Sequence, residues 1–358
     1  MEAFNDIFED CTSLGTKIPK DEYLTEGKHI VVDQGQNDIA GYTDLENGLF
    51  EDVPAIIFGD HTRIIKYVDE PFFLGADGVK LLKAKSKDAN YKYLYYALRN
   101  AKIPDTGYNR HFKWLKEVNI EYPNPDKQQE IVEILDRISK VIEERNLELQ
   151  HLDELIKARF VEMFGDLKTN PKGLEVKVLD QLGRWNSGGT PSRSKTEYFK
   201  GDINWYSAGE LNSLYLNGSV EKITEDAIRE SAAKLFKAGS MLVGMYDTAA
   251  FKMGILQEDS ASNQACACIE PNDSVDIVWL YYALTMMKDY YLSQRRGVRQ
   301  KNLNLGMIRA FELPVAKKEV QIEFVSFVKQ VDKSKVAVQK SLNETQKLFD
   351  SLMQEYFG

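Results

Sequence analysis

Cysteine is scarce: Cys11, Cys266 and Cys268 stand alone among 358 residues. Their number is odd and two lie a residue apart, too close to staple a loop, which points to a reduced, cytoplasmic setting. No apolar run approaches the roughly 18 residues of a membrane helix, and no membrane partner is expected. The opening, MEAFNDIFED, is acidic where a secretory signal needs a basic end. No G-x-x-x-x-G-K-[ST] string exists to cradle ATP phosphates. The Gly-rich strand-to-helix turn of S-adenosylmethionine and dinucleotide folds is missing, as is the Asn/Asp-Pro-Pro-aromatic string of amino-methyltransferases. His29, His61, His111 and His151 are scattered without ligand spacing, so no metal site is expected. Asp126, Glu130 and Glu133 resemble a nuclease cluster superficially, but acids in the first turns of a helix are favoured by its dipole. No catalytic residues emerge.

What is present begins with charge. Lys+Arg number 46 and Asp+Glu 55, a formal net charge of −9, and the signs are unevenly spread. Residues 1–79 hold 17 acids and 5 bases, whereas residues 80–116 hold 10 bases and 2 acids. A second basic cluster is Arg295, Arg296, Arg299 and Lys301. Local field steers a polyanion, so an acidic total does not exclude DNA.

The chain is also one unit written twice. Leu94-Tyr95-Tyr96-Ala97-Leu98 returns as Leu280-Tyr281-Tyr282-Ala283-Leu284, a shift of 186 that also pairs Thr62 with Thr248, Lys66 with Lys252 and Asp77 with Asn263. Further on, a shift of 193 pairs Gln128 with Gln321 and Phe164-Gly165 with Phe357-Gly358. Such a period is far above that of a solenoid. It marks a tandem duplication of a domain with its appendix.

Each appendix reads as a long helix. Ile131, Leu135, Ile138, Ile142, Leu149, Leu152, Ile156 and Met163 follow a 3.5-residue spacing, answered by Phe324, Val328, Val331, Val338, Leu342, Phe349, Leu352 and Tyr356. Arg145 and Arg159 interrupt the first seam; Lys335 and Thr345 interrupt the second. Neither seam is fully apolar, so each helix needs a partner and its copy is the natural one. Arg145 is expected near apolar neighbours of the other helix and Lys335 near the Ile142 face. Prolines at 123, 125 and 314 mark the helix entrances. Ahead of the helices, runs such as Ile30–Val32, Ala55–Phe58, Val79–Leu82, Ser240–Gly244 and Ala265–Ile269 predict strands. Tyr91–Arg99 and Val278–Met287 predict helices packed on them, and Cys266 and Cys268 share one buried strand face. The fold class is α+β: two globules, 1–122 and 166–313, each followed by a long helix, 123–165 and 314–358.

Several loops carry side chains suited to DNA. Ser187-Gly188-Gly189-Thr190-Pro191-Ser192-Arg193 combines close backbone approach, hydroxyls and a cation, a set that can contact phosphates. Gln34-Gly35-Gln36-Asn37 offers amides that pair bidentately with adenine. Tyr108-Asn109-Arg110-His111 and the segment from Arg295 to Asn302, with Gln300 among its cations, lie in corresponding places of the two units. Two other classes stand beside this reading: a duplicated, non-enzymatic protein-binding scaffold built on a coiled coil, and an enzyme of unrecognised type.

These strings resemble the specificity (S) subunits of type I restriction-modification systems. The likeness is carried by Leu179-Asp180-Gln181-Leu182-Gly183, Gly188-Gly189-Thr190-Pro191-Ser192, Tyr198, Gly201-Asp202-Ile203-Asn204-Trp205, Gly209-Glu210-Leu211 and Phe311-Glu312-Leu313-Pro314. The first copy matches less well, with Phe4-Asn5-Asp6-Ile7, little sequence before it, and Lys17-Ile18-Pro19-Lys20 where Gly-Gly-Thr-Pro would stand. The resemblance implies two target recognition domains, each reading half of a bipartite site in double-stranded DNA. It further implies an antiparallel coiled coil of spacer helices and no activity in this chain. Two methylation (M) subunits would dock around the helices and bind S-adenosylmethionine, and restriction (R) motor-nuclease subunits would bring ATP and Mg. The complex would be an adenine-specific DNA methyltransferase and endonuclease. Expected DNA contacts are Lys17, Lys20, Gln34, Gln36, Asn37, Tyr108, Asn109, Arg110 and Lys113 in the first unit. In the second they are Gly188, Gly189, Thr190, Ser192, Arg193, Arg295, Arg296, Arg299, Gln300, Lys301 and Asn302.

Overall fold

Short runs of β-branched and aromatic residues between Gly, Asn and Asp turns become strands, because such side chains suit a pleated, half-buried surface. The structure, a computed structural model, describes residues 1–75, 78–107, 109–293 and 302–358. It divides into two units: Met1–Leu147 with Gln339–Gly358, and Glu148–Val338.

In the first unit the strands are β1 (Glu2–Ala3), β2 (Phe8–Asp10), β3 (His29–Val32), β4 (Gly41–Thr43), β5 (Ala55–Gly59), β6 (Ile65–Val68), β7 (Phe72–Leu74), β8 (Val79–Ala84) and β9 (Asn119–Ile120). They form a four-stranded antiparallel sheet β2-β8-β5-β6, a three-stranded sheet β4-β3-β7 and a pair β1-β9. Strands β3 and β7 run parallel. Alternation along β5 sends Ala55 and Ile57 toward Ile30, Val32, Phe72 and Leu74, while Ile56 and Phe58 face the helix Tyr91–Arg99. That helix begins where Asn90 Oδ1 accepts the Tyr93 N–H at 3.1 Å.

The second unit repeats this plan. Its strands are β10 (Glu175–Val178), β11 (Gly183–Ser187), β12 (Ile203–Tyr206), β13 (Tyr215–Leu216), β14 (Glu221–Ile223), β15 (Met241–Gly244), β16 (Met253–Leu256), β17 (Ala261–Ser262), β18 (Cys266–Pro271) and β19 (Glu312–Val315). The sheets run β11-β18-β15-β16-β13, β14-β12-β17 and β10-β19. Strand for strand the first unit recurs, the parallel pair included; β13 is an addition. Cys266 and Cys268 are buried in one cluster with Leu242 and Leu256, and burial pushes the Cys266 thiol up to about 12. The helix Ile277–Ser293 is longer than the sequence pattern predicts, because Tyr291 continues its buried face, stacked on Phe251 and Phe311.

Two 40-residue helices, Pro125–Phe164 and Lys318–Phe357, each contribute to both units. In the first unit Ile131, Val132 and Leu135 share a core with Phe349 and Met353. In the second, Ile156, Phe160 and Phe164 pack with Phe324 and Val328 around Trp279. Arg159 reaches Glu323 at 3.3 Å and Lys335 reaches Asp153 at 2.7 Å, so one chain number rises as the other falls and the helices are antiparallel. Lys335 is thus not beside Ile142, which packs in the first unit's core; the antiparallel register offers it a carboxylate instead. Pro314 does not open the second helix either. It lies in β19 opposite Val176, in a two-stranded sheet where an edge tolerates the missing N–H. Pro125 is the first residue of its helix.

Candidate nucleic-acid interface

Parallel strands deliver the loops that follow them to the same end of a sheet. In the first unit β3 and β7 do this, and a third segment joins them: Ile18 N–H donates to Leu74 O at 2.8 Å, with Lys17 bridged to Leu74. Lys17 and Lys20 are therefore exposed at the same end as the loop holding Gln34, Gln36 and Asn37. The turn between β5 and β6 closes on that loop: Gln34 Oε1 accepts the His61 N–H at 3.2 Å, and Thr62 Oγ1 donates to Gln34 O at 2.7 Å. Asn109 O lies 3.2 Å from His61 Nδ1, and His111 N–H donates to Asp60 O at 2.8 Å. Gln34, His61 and Asn109 thus meet on one face, with Arg110 and Lys113 exposed beyond Asn109. Beneath them Lys66 is buried and donates to Asn37 O at 2.5 Å. Burial pushes its ammonium below the ordinary lysine value, against the pull of Asp33.

The second unit assembles its face by the same hydrogen bonds. Gly189 N–H donates to Ser262 O at 2.9 Å, as Ile18 does to Leu74, so Lys17-Ile18-Pro19-Lys20 stands where Gly188-Gly189-Thr190-Pro191 does. Leu303 N–H donates to Met245 O at 2.9 Å, as His111 does to Asp60. His111 and Leu303 are therefore held at equivalent strand ends. A non-glycine residue with positive φ closes each hairpin turn, Arg63 at 62° and Phe251 at 56°, and each donates its N–H to a glycine carbonyl, Gly59 or Gly244. Lys66 and Lys252, paired by the repeat, both reach a carbonyl of the loop after β3 or β12, Asn37 at 2.5 Å and Gly209 at 3.5 Å. They are not strand equivalents, because the two hairpins differ in length.

The glycine pair serves a different end from the one its sequence suggests. Both residues are buried and their amides are held by Cys266 O and Ser262 O. A Cβ on Gly188 would stand 2.3 Å from Asn263 O, and one on Gly189 would stand 2.0 Å from Ala232 O. The close approach is to the chain's own backbone, so phosphate contact by those amides is ruled out in this arrangement. Thr190 Oγ1 donates to Gln264 Oε1, and Ser192 is exposed. Arg193 is held rather than free: its guanidinium bonds Glu221 through two nitrogens, Nη2 at 2.8 Å, and lies 4.4 Å over Phe199 and 5.1 Å over Trp205. Each partner strengthens the other's charge, Glu221 held below the usual carboxylate range and Arg193 raised. Asn302 is half-buried at the rim. Tyr108, Arg295, Arg296, Arg299, Gln300 and Lys301 lie outside the described residues. Sequence reasoning missed the hairpin turn, His61–Arg63 and Tyr246–Ala250, and also Gln264. The repeat pair Thr62 and Thr248 was the signal for the turn.

Among the described residues no cluster of three or more potential metal ligands exists, and no helix is long and apolar enough to cross a membrane. Residues 3–151 and 171–347 match the family described as type I restriction modification DNA specificity domain. The chain belongs to this family. It is 26% identical over 322 residues to the type I restriction enzyme EcoR124I/EcoR124II specificity subunit of Escherichia coli, covering 84% of this chain and 79% of that one. It is 26% identical over 172 residues to the MjaIX specificity subunit of Methanocaldococcus jannaschii, covering 47% and 40%. Its fold is similar to the crystal structure of a type I restriction-modification S subunit from M. genitalium, with TM-score 0.59, 17% identity and coverage of 100% and 95%. A chain from a structural study of type I complex assembly and conformational transition gives 0.56, 16%, 92% and 91%. As a type I specificity subunit the chain serves DNA sequence recognition through two tandem domains, and specificity subunits are non-catalytic. The scaffold reading is set aside.

Proposed function

We propose that each unit applies the end of its sheets, with the loop after β3 or β12 and the adjoining hairpin turn, to one half of a bipartite site in duplex DNA. The observation that carries this is the recurrence of the same backbone hydrogen bonds in both units, Ile18 to Leu74 and His111 to Asp60 in one, Gly189 to Ser262 and Leu303 to Met245 in the other, with different side chains at the corresponding positions: Lys17, His61 and Arg110 in one, Gly188, Tyr246 and Asn302 in the other. A constant frame with exchanged cations, imidazole, hydroxyl and amide suits two different base sequences. The long helices set the gap between half-sites and hold two methylation subunits, which supply S-adenosylmethionine. Restriction subunits would add ATP and Mg. The setting is cytoplasmic.

Mapping methylated adenines in DNA from cells carrying this chain with its methylation subunits tests the reading. Exchange of residues 33–38 should change one half-site and leave the other and the gap intact. Inserting one heptad into both helices lengthens each by about 10 Å, which should widen the gap by roughly three base pairs at 3.4 Å per step. Altered half-sites with an unchanged gap would reject the helices as the ruler.

A further inference from the structure

The two units differ at one sheet edge. In the second, β13 adds to the outer side of β16: Ile255 N–H donates to Leu214 O at 2.8 Å, and Tyr215 lies beside Ile255 in parallel register. The Tyr215 side chain packs on the cluster that holds Tyr281 and Tyr282. In the first unit β6 is itself the edge strand, and no strand pairs with its outer side among the described residues. The registers equate Tyr67 with Ile255, because Gly59 N–H donates to Ile64 O as Gly244 N–H donates to Lys252 O, and each residue lies three further on.

Beside Tyr67 is a groove of about 620 Å³. Tyr67, Tyr95, Tyr96, Ile142 and Phe349 line it together with Ser139, whose hydroxyl lies 3.3 Å from that of Tyr96. By the repeat, Tyr95 and Tyr96 correspond to Tyr281 and Tyr282, so the hollow is the place that Tyr215 fills in the second unit. The first unit cannot fill it alone. Its equivalent loop has eight residues, 33–40, against fourteen, 207–220. That short loop is also tied down through Asn37 O to Lys66 and through Gln34 O to Thr62. Nucleic acid suits the groove poorly, since its cations are engaged within the chain, Lys92 with Asp136 at 2.7 Å, Lys140 with Glu144 at 3.9 Å and Arg99 over the Tyr95 and Phe349 rings, while Asp38 and Glu143 also line it.

We infer that this groove seats an extended segment of a partner subunit, which adds to β6 in parallel and lodges an aromatic side chain between Tyr67 and Tyr96. An open strand edge supplies main-chain hydrogen bonds and the hollow beside it supplies side-chain choice. The inference rests on the reading that methylation subunits assemble on this chain, and it adds an asymmetry: one such seat per chain, because β13 already occupies the other.

The test places a photo-crosslinking phenylalanine at Tyr67, and separately at the exposed Lys140, in the full chain co-expressed with its methylation subunits. The expected result is a crosslink to one contiguous, aromatic-containing segment of a methylation subunit, one partner per chain, located by mass spectrometry. Ser139→Trp, which fills the hollow, should abolish that crosslink and weaken association at least tenfold. Co-purification of the complex without a crosslink from either position overturns the inference while leaving the assembly reading intact, as do crosslinks only within the chain or to DNA. A chain that folds but never co-purifies with methylation subunits overturns both.

Discussion

The two units keep a common hydrogen-bonded frame and differ in what anchors it. At the hairpin turn both use a left-handed residue that is not glycine, a conformation that bulky side chains adopt only when their surroundings hold them there. In the first unit that residue is Arg63, whose side chain reaches Asp105 at 2.8 Å and Ile103 O at 3.3 Å. In the second it is Phe251, buried and stacked on Tyr291. One turn is held by a half-exposed ion pair and the other by the apolar core. Backbone geometry is therefore what duplication preserved, and the means of enforcing it was free to drift.

Breaking these anchors should expose the difference most strongly. Phe251→Ala removes a buried ring, expected to cost about 3–5 kcal/mol, whereas Arg63→Ala loses a partly exposed pair worth at most about 1 kcal/mol. Urea unfolding, with hydrogen exchange to assign the loss to a unit, measures both; equal effects would contradict the comparison. Gly189→Ala should follow at about 3 kcal/mol, near the upper end of overpacking costs. Its Cβ meets the Ala232 carbonyl, while the counterpart Ile18 already carries a side chain and should accept Val at about 1 kcal/mol.

The buried glutamines that open the long helices sharpen the contrast further. Gln128 Nε2 donates to Pro123 O and Gln321 Nε2 to Ala316 O, both at 2.8 Å. Gln321 also accepts the Asp276 N–H at 2.7 Å. Gln321→Ala leaves that donor unsatisfied and should cost about 2–3 kcal/mol, against about 1 kcal/mol for Gln128→Ala. The smallest effect separates two cations on the proposed DNA faces. Lys20→Ala should lower the salt slope of DNA binding by about one, as one lost phosphate contact does. Arg193→Ala should leave the slope unchanged, because Glu221 already neutralises it. Glu221 titrates below the usual carboxylate range, so the pair holds above that range and is lost as pH falls through the lowered value. Arg193 would gain a salt-sensitive role only in acid. Titration of the Glu221 carboxyl by NMR and binding measured at several salt concentrations check both halves.

The duplication, the long helices and most strands were legible because packing dictates them. Leu-Tyr-Tyr-Ala-Leu faces the larger sheet in both units, so its residue types could not wander. What escaped reading depends on geometry without fixed residue types. Arg63 and Phe251 share a backbone conformation and no chemistry. Strand β13 is two residues long, too short for any periodicity to register. The fixed shift of 186 pairs Lys66 with Lys252, but equivalent carbonyls and amides are offset by 185 at Gly59 and 188 at Ile64, since the hairpins differ in length. Residue type also does not reveal how a loop uses its atoms: Gly188, Gly189 and Arg193, read from the sequence as DNA contacts, are bound within the chain.

Because each long helix is shared between units, the order in which the polypeptide leaves the ribosome is not the order in which its units can close. The second unit has every residue it needs once Val338 has emerged. The first, although synthesised earliest, must wait for Phe349 and Met353 to cover Ile131 and Leu135. A nascent chain therefore carries an uncovered apolar face through the making of nearly two hundred further residues, residues 148–338, which makes the earlier-born unit the one most exposed to chaperones and to misassociation during synthesis.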